Sequence, residues 1–511
     1  MQTSILFKAL AVAGVVSLAA CGGGGDEPAG ATTAASVTTF GTKSGGLSTT
    51  AQRLSVGFTE AGVHDPSVIR ANNQYYVFGS HLAAAKTPDL MNWTRIADGV
   101  NAANPLIPNV AGQLAETFAW AQTSTLWAPD VIRLDDGKYY MYYNACKGDS
   151  PRSALGIAVA DHIEGPYVDK GIILKSGMWG QASHDGTIYD ATKHPNTVDP
   201  NVFRDQKGKL WMIYGSYSGG IFILQLDPAN GMPLPGQGYG KHLLGGNHSR
   251  IEGAYVLYSP QSKYYYMFTS FGGLDSFGAY NMRVARSRNP DGPYVDGKGT
   301  DMATVKSDPT KPLFDDASIA PHGQKLFGNH QFALASGETG TPLGYVSAGH
   351  NSAFYDAATK QHFLVFHTRF PNMGEMHELR VHQMFINEDG WPVVAPLRYV
   401  PLSKGKEVPV TVSATAAAGT YKFVNHNKEI TAHVVPSQVV RLGKDGKVTG
   451  AVKGTWAHRG ENNVALTLDG STRQYRGVLS RQWNSNANAF TVTFSVQNAE
   501  GVSLWGVRTG N

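Results

Sequence analysis

The sequence predicts an all-β protein in which a five-bladed β-propeller is followed by a small antiparallel β-barrel or sandwich domain. A strand–turn–strand unit recurs five times along the chain, and such repetition is typical of short sheets that surround a central channel. Glycine makes up 59 of the 511 residues, above the usual share of about 7%. Only 16% of the residues are charged, below the usual share of about 25%. This composition, with its Tyr-rich runs, favours strands joined by tight turns.

Each copy of the unit starts with one residue that precedes a short apolar strand, and a turn then leads to a second strand rich in aromatic residues. In the third copy Asp199 precedes Pro-Asn-Val-Phe, and a Lys-Gly-Lys turn leads into Leu-Trp-Met-Ile-Tyr. A weaker repeat at residues 155–160 and 282–287 is followed each time by a Gly-Pro turn and supports roughly four strands per blade. The first residues of the five copies are Asp65, Ala128, Asp199, Glu252 and His350.

The propeller is expected to span residues 56–401 and the C-terminal domain residues 410–511. In the second region, short segments of alternating or apolar residues are separated by polar turns, which predicts a small antiparallel barrel or sandwich. No acidic ring occurs in this region, so we expect it to pack against the propeller, with binding of a polymer as the alternative role. The segments are residues 420–424, 438–442, 463–468 and 489–496.

The N-terminal residues 1–20 have the features of a targeting segment. Lys8 is their only charged residue, and an apolar run leads into Leu-Ala-Ala-Cys, which ends at Cys21. This ending resembles a bacterial lipobox, so we expect a lipoprotein signal peptide and a lipid on Cys21; the alternative is an ordinary signal peptide beside a chance cysteine. Residues 21–55 are rich in Gly, Ser, Thr and Ala and are predicted to form a flexible tether. The predicted location is the cell envelope (outer membrane, periplasm or cell surface), with a lipid anchor in the membrane.

The net charge and the cysteine content limit the kinds of binding partner that the sequence allows. The formal net charge is 43 − 39 = +4 and no long run of like charges occurs, which argues against a nucleic-acid partner. Cys146 is the only other cysteine and is expected to be a structural thiol. No organic cofactor is expected, and the protein is predicted to be a monomer that acts on a polysaccharide.

The acidic residues that begin three of the copies carry the prediction of function. Equivalent positions in radially repeated blades lie in one ring, so Asp65, Asp199 and Glu252 are expected to meet at the mouth of the channel. Unpaired carboxylates are costly in a dry interior, so residues of this kind are normally exposed or functional. Cleavage of a glycosidic bond needs a protonated acid for the leaving oxygen and an ionised carboxylate that activates water or attacks the sugar. A third carboxylate raises the pKa of the acid by repulsion, so the ring suggests a glycosidase.

Other residues near the ring are candidates for contact with a sugar or a metal. Trp127 precedes the first strand of the second copy, and its flat face suits a sugar ring, although most such aromatic residues are core residues. Ser216 and Tyr217 follow the second strand of the third copy and could return to the channel mouth. His350 is either a structural histidine or part of a metal site or polar network.

Six short motifs around these residues resemble those of glycoside hydrolase family 43, and they occur in the family's order over most of residues 56–400. The resemblance implies a five-bladed propeller that cleaves α-1,5-L-arabinofuranosidic linkages within arabinan, in the larger two-domain bacterial form. The motifs are His-Asp-Pro-Ser-Val from residue 64, Leu-Trp-Ala-Pro-Asp-Val from 126, Val-Asp-Pro-Asn-Val-Phe from 198, Gly-Ser-Tyr from 215, Ile-Glu-Gly from 251 and Gly-His-Asn-Ser from 349.

The same resemblance implies roles for residues of this chain. Asp65 would be the general base that activates water, Glu252 the general acid, and Asp199 the residue that orients the acid and raises its pKa. The configuration at the sugar would be inverted. His350 would help to hold a calcium ion, mostly through water. The residues that would contact the substrate are Asn196, Ser216 and Tyr217.

Two alternatives stay open. An exo-acting relative, an α-L-arabinofuranosidase or a β-xylosidase, would need a closed pocket where an endo-acting enzyme has an open groove. The step from Glu252 to His350 is 350 − 252 = 98 residues, so a long loop is expected within residues 299–344, where it would shape the groove or pocket. A non-catalytic polysaccharide-binding lipoprotein would need aromatic residues but not three acidic residues at matched positions.

Overall fold

The structure, a computed structural model, describes residues 56–402 and 408–510. Five sheets of four or more strands form a five-bladed propeller, as the five repeats predict. Blades one to three contain β1 (Ser67–Ala71), β2 (Gln74–Gly79), β3 (Ala83–Thr87), β4 (Thr94–Ala97), β5 (Trp127–Arg133), β6 (Tyr139–Cys146), β7 (Ser153–Ala160), β8 (Val168–Lys175), β9 (Asn201–Arg204), β10 (Leu210–Tyr214), β11 (Ile221–Leu226) and β12 (Lys241–Leu244). Blades four and five contain β13 (Ile251–Ser259), β14 (Tyr264–Phe271), β15 (Asn281–Ser287), β16 (Gln324–Lys325), β17 (His330–Gln331), β18 (Gly344–Asp356), β19 (Gln361–Arg369), β20 (His377–Ile386) and β21 (Pro392–Val394).

The hydrophobic core of the propeller lies between successive blades. All eight residues of β6, the second strand of blade two, are buried. Tyr76 and Phe78 of blade one belong to the same apolar cluster as Met141 and Tyr143 of blade two. The near-continuous apolar runs in the sequence are therefore strands that are covered on both faces by neighbouring blades.

The C-terminal strands form a closed antiparallel barrel, which decides between the barrel and the sandwich that the sequence leaves open. Its first strand pairs with its last, from Thr420 opposite Thr509 to Asn425 opposite Leu504. Apolar side chains such as Phe494 fill its interior. The strands, in order around the barrel, are β22 (Gly419–Asn425), β24 (Gln438–Leu442), β25 (Lys447–Gly450), β26 (Gly454–His458), β27 (Asn463–Leu468), β28 (Tyr475–Asn484), β29 (Ala489–Gln497) and β30 (Ser503–Thr509).

The barrel packs against the propeller, mainly at blade five. Strand β23 (Val435–Pro436) pairs in parallel with β17, so a segment of the C-terminal region extends the sheet of that blade. The Trp505 and Phe327 rings lie 4.9 Å apart in a shared apolar cluster. Lys422 Nζ lies 2.7 Å from Glu338 Oε2, with both side chains nearly fully buried. The two domains thus share apolar and ionic contacts.

The long segment between ring positions four and five is mostly irregular, as the spacing predicts. Residues 288–343 contain one 3₁₀ turn (Met302–Thr304) and the two-residue strands β16 and β17. Part of this segment lies against the start of β13, because Arg250 Nε donates to Asp316 Oδ1 at 3.0 Å. Within residues 56–402 and 408–510, no helix has the length and apolar character needed to cross a membrane.

Candidate active site

Four of the five ring positions meet at a cleft of about 430 Å³ at the mouth of the channel. The cleft is lined by Asp65, Asp199, Glu252 and His350, as the repeats predict. The fifth position is Ala128, which is buried and carries no polar group. The ring therefore concentrates three carboxyl groups and one imidazole in one place.

The backbone at the ring departs from regular strand geometry. Asp65, Asp199 and His350 have φ values of 53°, 55° and 44°, in the left-handed region that non-glycine residues seldom occupy. Glu252 is followed by Gly253 at φ 60°, and a Cβ at Gly253 would lie 3.0 Å from Cγ of His350. Strand pairing also shifts its register just after Glu252. Strain of this kind costs about 1–3 kcal/mol per residue and is common at functional sites, where it aims side chains.

Asp65 is held as a carboxylate by its neighbours. Its Oδ2 lies 2.8 Å from His64 Nδ1 and accepts a hydrogen bond from Ser80, and its Oδ1 lies 3.1 Å from His350 Nδ1. Burial alone would raise the pKa of Asp65, but the two histidines outweigh it and hold that pKa well below its ordinary value. Asp65 is consequently ionised and can accept a proton.

Glu252 differs from Asp65 because its pKa is raised instead of lowered. Burial raises the pKa of Glu252 above its ordinary value, although His350 and two hydrogen bonds oppose the shift. Ser216 Oγ donates to Glu252 Oε2 at 2.7 Å, and Tyr280 OH donates to Oε1 at 2.9 Å. These two bonds fix the orientation of a carboxyl group that is suited to give up a proton.

Asp199 and His350 both interact electrostatically with Asp65 and Glu252. Burial raises the pKa of Asp199 to about 7; His350 opposes this shift, while Glu252 and Asp65 add to it. Burial lowers the pKa of His350, but Asp65, Asp199 and Glu252 outweigh it and raise that pKa to about 9. At neutral pH His350 is therefore a cation among three acidic groups, and it partly offsets their mutual repulsion.

The four predicted substrate-binding residues have different surroundings. Trp127 lines the cleft, and its buried Nε1 has no hydrogen-bond partner among the described residues. Ser216 contacts Glu252 instead of opening onto the cleft. Tyr217 is directed into the fold, where its hydroxyl donates to Gly272 O at 3.3 Å.

Asn196 is also engaged within the protein. Its Oδ1 accepts a hydrogen bond from Ser153 Oγ at 2.5 Å, and its Nδ2 lies 3.8 Å from Cys146 Sγ. Asn196 is buried and does not line the cleft, in contrast to Trp127. Cys146 is a buried free thiol, and burial raises its pKa, which agrees with a structural role.

Several residues that contact the carboxyl groups were not among the sequence candidates. His64 stands next to Asp65 in its motif, so sequence could have indicated it. Tyr280 lies in the loop before β15 and His367 lies on β19, so both are distant in sequence from the carboxyl groups that they contact. Asp65 N donates to His367 Nδ1 at 3.2 Å, and the His64 and His367 rings stack at 3.7 Å. Burial holds the pKa of His367 well below its usual value, so its ring is neutral and Nδ1 can accept this bond. Ligand-type atoms of His64, Asp65 and His367 lie within 4.8 Å of one another.

A second cavity adjoins the ring and bears on the predicted calcium ion. It is lined by Asp130, Asn201, Asn351 and His350, among others. Both amide atoms of Asn351 are buried and lack a hydrogen-bond partner in the described part of the chain. Calcium prefers oxygen ligands and water, and a metal-bound histidine commonly directs its other nitrogen to a carboxylate, as His350 Nδ1 does to Asp65. With the His350 ring neutral, its second nitrogen and the Asn351 oxygen fit a hydrated calcium ion, so binding of the ion would require the cationic His350 of the metal-free cluster to release its proton.

The fold and the cleft together define a class of protein. A propeller whose channel mouth holds an ionised carboxylate and a carboxyl group of raised pKa has the groups that an acid–base glycosidase needs. Residues 58–318 match the glycosyl hydrolases family 43, and residues 396–506 match the C-terminal lipocalin-like domain that is named for the same family. The chain belongs to glycosyl hydrolases family 43.

Relatives with known names resemble the chain over most of its length. It is 57% identical over 451 residues to the extracellular endo-α-(1→5)-L-arabinanase 2 of Bacillus subtilis, a match that covers 88% of this chain and 93% of that protein. It is 49% identical over 456 residues to the extracellular endo-α-(1→5)-L-arabinanase of Thermotoga petrophila, covering 88% of this chain and 94% of that protein.

Solved structures agree with the two-domain architecture. The crystal structure of a family 43 glycoside hydrolase from Bacillus licheniformis superimposes with a TM-score of 0.84 at 57% identity, covering 89% of this chain and 99% of that one. The endo-1,5-α-L-arabinanase from Thermotoga petrophila superimposes with a TM-score of 0.84 at 49% identity, covering 89% and 100% of the two chains.

Proposed function

We propose that this protein is an endo-acting arabinanase, which hydrolyses α-1,5-L-arabinofuranosidic linkages within arabinan and inverts the configuration at the sugar. The observation that carries the proposal is the opposed proton affinity of Asp65 and Glu252 in one cleft. The names of the relatives at 57% and 49% identity support arabinan as the substrate and cleavage within the chain.

In the proposed mechanism, Asp65 removes a proton from a water molecule that attacks the anomeric carbon, while Glu252 donates a proton to the leaving oxygen. Ser216 and Tyr280 hold the Glu252 carboxyl in place through its two oxygens. His64 and Ser80 fix Asp65 Oδ2. Water thus loses its proton to one carboxylate, and the departing sugar gains one from the other.

Asp199 is proposed to keep the acid protonated. Burial raises the pKa of Asp199, and the charges of Glu252 and Asp65 add to that shift. By the same repulsion, Asp199 would raise the pKa of Glu252 once Asp199 is ionised. Asp199 also accepts a hydrogen bond from Gly253 N at 3.3 Å, next to Glu252 in the chain. This contact supports a role for Asp199 in orienting the acid.

For substrate binding, Trp127 is proposed to offer its face to a sugar ring, because it lines the cleft and is only partly buried. Asn196, Ser216 and Tyr217 stay proposals, and their present hydrogen bonds favour positioning roles over direct contact. His350 and Asn351 would hold the calcium ion, and the charge of the ion would stabilise the ring of carboxyl groups.

No organic cofactor is proposed. The protein is proposed to act as a monomer.

The relatives are named extracellular, which supports a secreted or cell-envelope location. We propose that the chain is held there by a lipid on Cys21, a residue that lies outside the described ranges. Substitution Cys21→Ser is expected to move the protein from the membrane fraction to the soluble fraction after cell lysis. Continued membrane association of the variant would contradict the anchor.

The experiment that tests the function is a product profile on linear 1,5-arabinan with purified protein lacking residues 1–21. Viscosity and released sugars are followed together. Endo action predicts a rapid loss of viscosity with a ladder of short oligosaccharides. Release of arabinose alone at nearly constant viscosity would indicate an exo-acting enzyme, and activity restricted to aryl xylosides or arabinosides would change the substrate.

A further inference from the structure

One exposed aromatic residue stands out on the face of the propeller that carries the cleft. Phe277 is 84% exposed, the highest value among the exposed large apolar residues of the described chain. It lies in the loop between β14 and β15, residues 272–280, and Leu274 of the same loop lines the cleft. An exposed phenyl ring beside a binding cleft favours a function in binding, because it has no role in the core.

The backbone of this loop is tightly fixed. Ser347 Oγ donates to Asp275 O at 2.6 Å, and Arg369 donates to Leu274 O. Asp275 Oδ1 accepts a hydrogen bond from Phe277 N at 2.8 Å. The loop therefore holds the backbone of Phe277 in a defined place beside the cleft, which lowers the cost in backbone entropy when a ligand binds.

A neighbouring loop extends the same surface. Glu375 Oε1 accepts a hydrogen bond from Ser276 N at 2.9 Å, and Glu375 itself lines the cleft. The residues beside Glu375 in its loop include Met373 and Met376, which are 50% and 39% exposed. The two loops thus meet at Ser276 and Glu375 beside the cleft, and three exposed apolar side chains lie within two residues of that contact, namely Phe277, Met373 and Met376.

We propose that Phe277, with Met373 and Met376, forms a distal sugar-binding site for the part of a polysaccharide chain that continues beyond the cleft. The ligand is a furanose ring of the same chain that is being cleaved, whose C–H face packs on the phenyl ring. This inference rests on the proposed function, because it takes the occupant of the cleft to be a polymer. Its effect is on the preference for long over short substrates and not on bond cleavage.

The test compares kcat/KM on linear 1,5-arabinan with kcat/KM on α-1,5-arabinotriose for wild type, Phe277→Ala and Phe277→Trp. The Ala variant is expected to lower the ratio of the two values about five-fold, the size of one aromatic contact, and the Trp variant to restore it. Val168→Ala, which changes a 52% exposed residue of β8, is the matched control and should keep the wild-type ratio.

Binding is measured separately by retardation in gels that contain arabinan, with the inactive Glu252→Gln protein as background. Phe277→Ala on that background should be retarded less than Glu252→Gln alone. An unchanged ratio and unchanged retardation in Phe277→Ala would overturn the distal site. Failure of wild type to cleave either substrate would instead contradict the proposed function, so the two outcomes are distinguishable.

Discussion

The channel mouth of the propeller and the interior of the C-terminal barrel are both enclosed by β-strands, yet they contain opposite kinds of residue. The channel mouth holds three carboxyl groups and an imidazole on strained backbone. The barrel interior holds apolar side chains such as Tyr421, Trp456 and Phe494. The first arrangement costs stability and supplies chemistry, whereas the second supplies stability. The match to a lipocalin-like domain therefore describes the barrel's fold, while its packed interior favours a supporting role.

The largest expected effect is the loss of activity when an acidic residue at the channel mouth is replaced. Asp65→Ala and Glu252→Ala should each lower kcat on arabinan about 10³-fold, because each removes one proton-transfer group. Circular dichroism and melting temperature should show an intact fold. Val439→Ala, at an exposed position of the barrel, is the control and should keep full activity. Near-normal activity of either acidic-residue variant would remove that residue from the mechanism.

A substitution in the barrel interior should have the reverse effect: it should lower stability and leave activity nearly unchanged. Phe494 is fully buried and its ring lies 5.2 Å from that of Tyr421, so Phe494→Ala leaves a cavity. The free energy of unfolding is expected to fall by about 3–5 kcal/mol, while kcat of the folded protein stays close to wild type. Urea unfolding and assays at low temperature measure the two quantities. A large fall in kcat for fully folded Phe494→Ala would mean that the barrel acts on the site.

A smaller effect is expected on the pH dependence of the reaction. Asp199→Asn removes the negative charge that Asp199 gains as the pH rises through about 7, so the pKa of Glu252 should fall. The general acid would then lose its proton at lower pH, and the basic limb of the pH profile of kcat should move down by about one pH unit. An unmoved basic limb, with kcat reduced at all pH values, would leave Asp199 an orienting residue only.

The last prediction concerns how thermal stability depends on pH, and it tests the cost of ionising the buried Asp199. Folding raises the pKa of Asp199 from its ordinary 3.8 to about 7, so the wild type loses stability as the pH rises between these two values. Asp199→Asn avoids that loss because its side chain cannot ionise. The melting temperature of the variant relative to wild type should therefore increase from pH 4 to pH 7 and then level off. A difference that is constant with pH would show that the carboxyl is not destabilising.

The ring was predictable from sequence because each acidic residue stands at the same place in a repeated unit, and radial repetition brings such places together. Contacts to the carboxyl groups from other strands were not predictable in the same way. Tyr280 precedes β15 and reaches Glu252 through the pairing of strands within blade four, whereas His367 on β19 reaches Asp65 through the packing of blade five against blade one. Asn196 shows the converse, since the family resemblance implied a sugar contact but its amide oxygen accepts a hydrogen bond from Ser153.

The barrel illustrates another limit of the sequence. Alternating strands indicate a sheet with one buried face, and both a sandwich and a barrel satisfy that pattern. The choice depends on whether β22 pairs with β30, two strands at opposite ends of the domain sequence. Such long-range pairing has no local signature, so the closure of the barrel was visible only in the structure.

The most direct test of the account separates the two catalytic roles with a substrate that needs no acid. A dinitrophenyl glycoside of α-1,5-linked arabinotriose releases a stable anion, so its cleavage requires the general base but little help from a general acid. The account predicts that Glu252→Ala loses most of its activity on arabinan but keeps much of it on this glycoside, whereas Asp65→Ala loses both. Equal losses on the two substrates in Glu252→Ala, or retention of glycoside cleavage by Asp65→Ala, would contradict the assignment of Glu252 as acid and Asp65 as base.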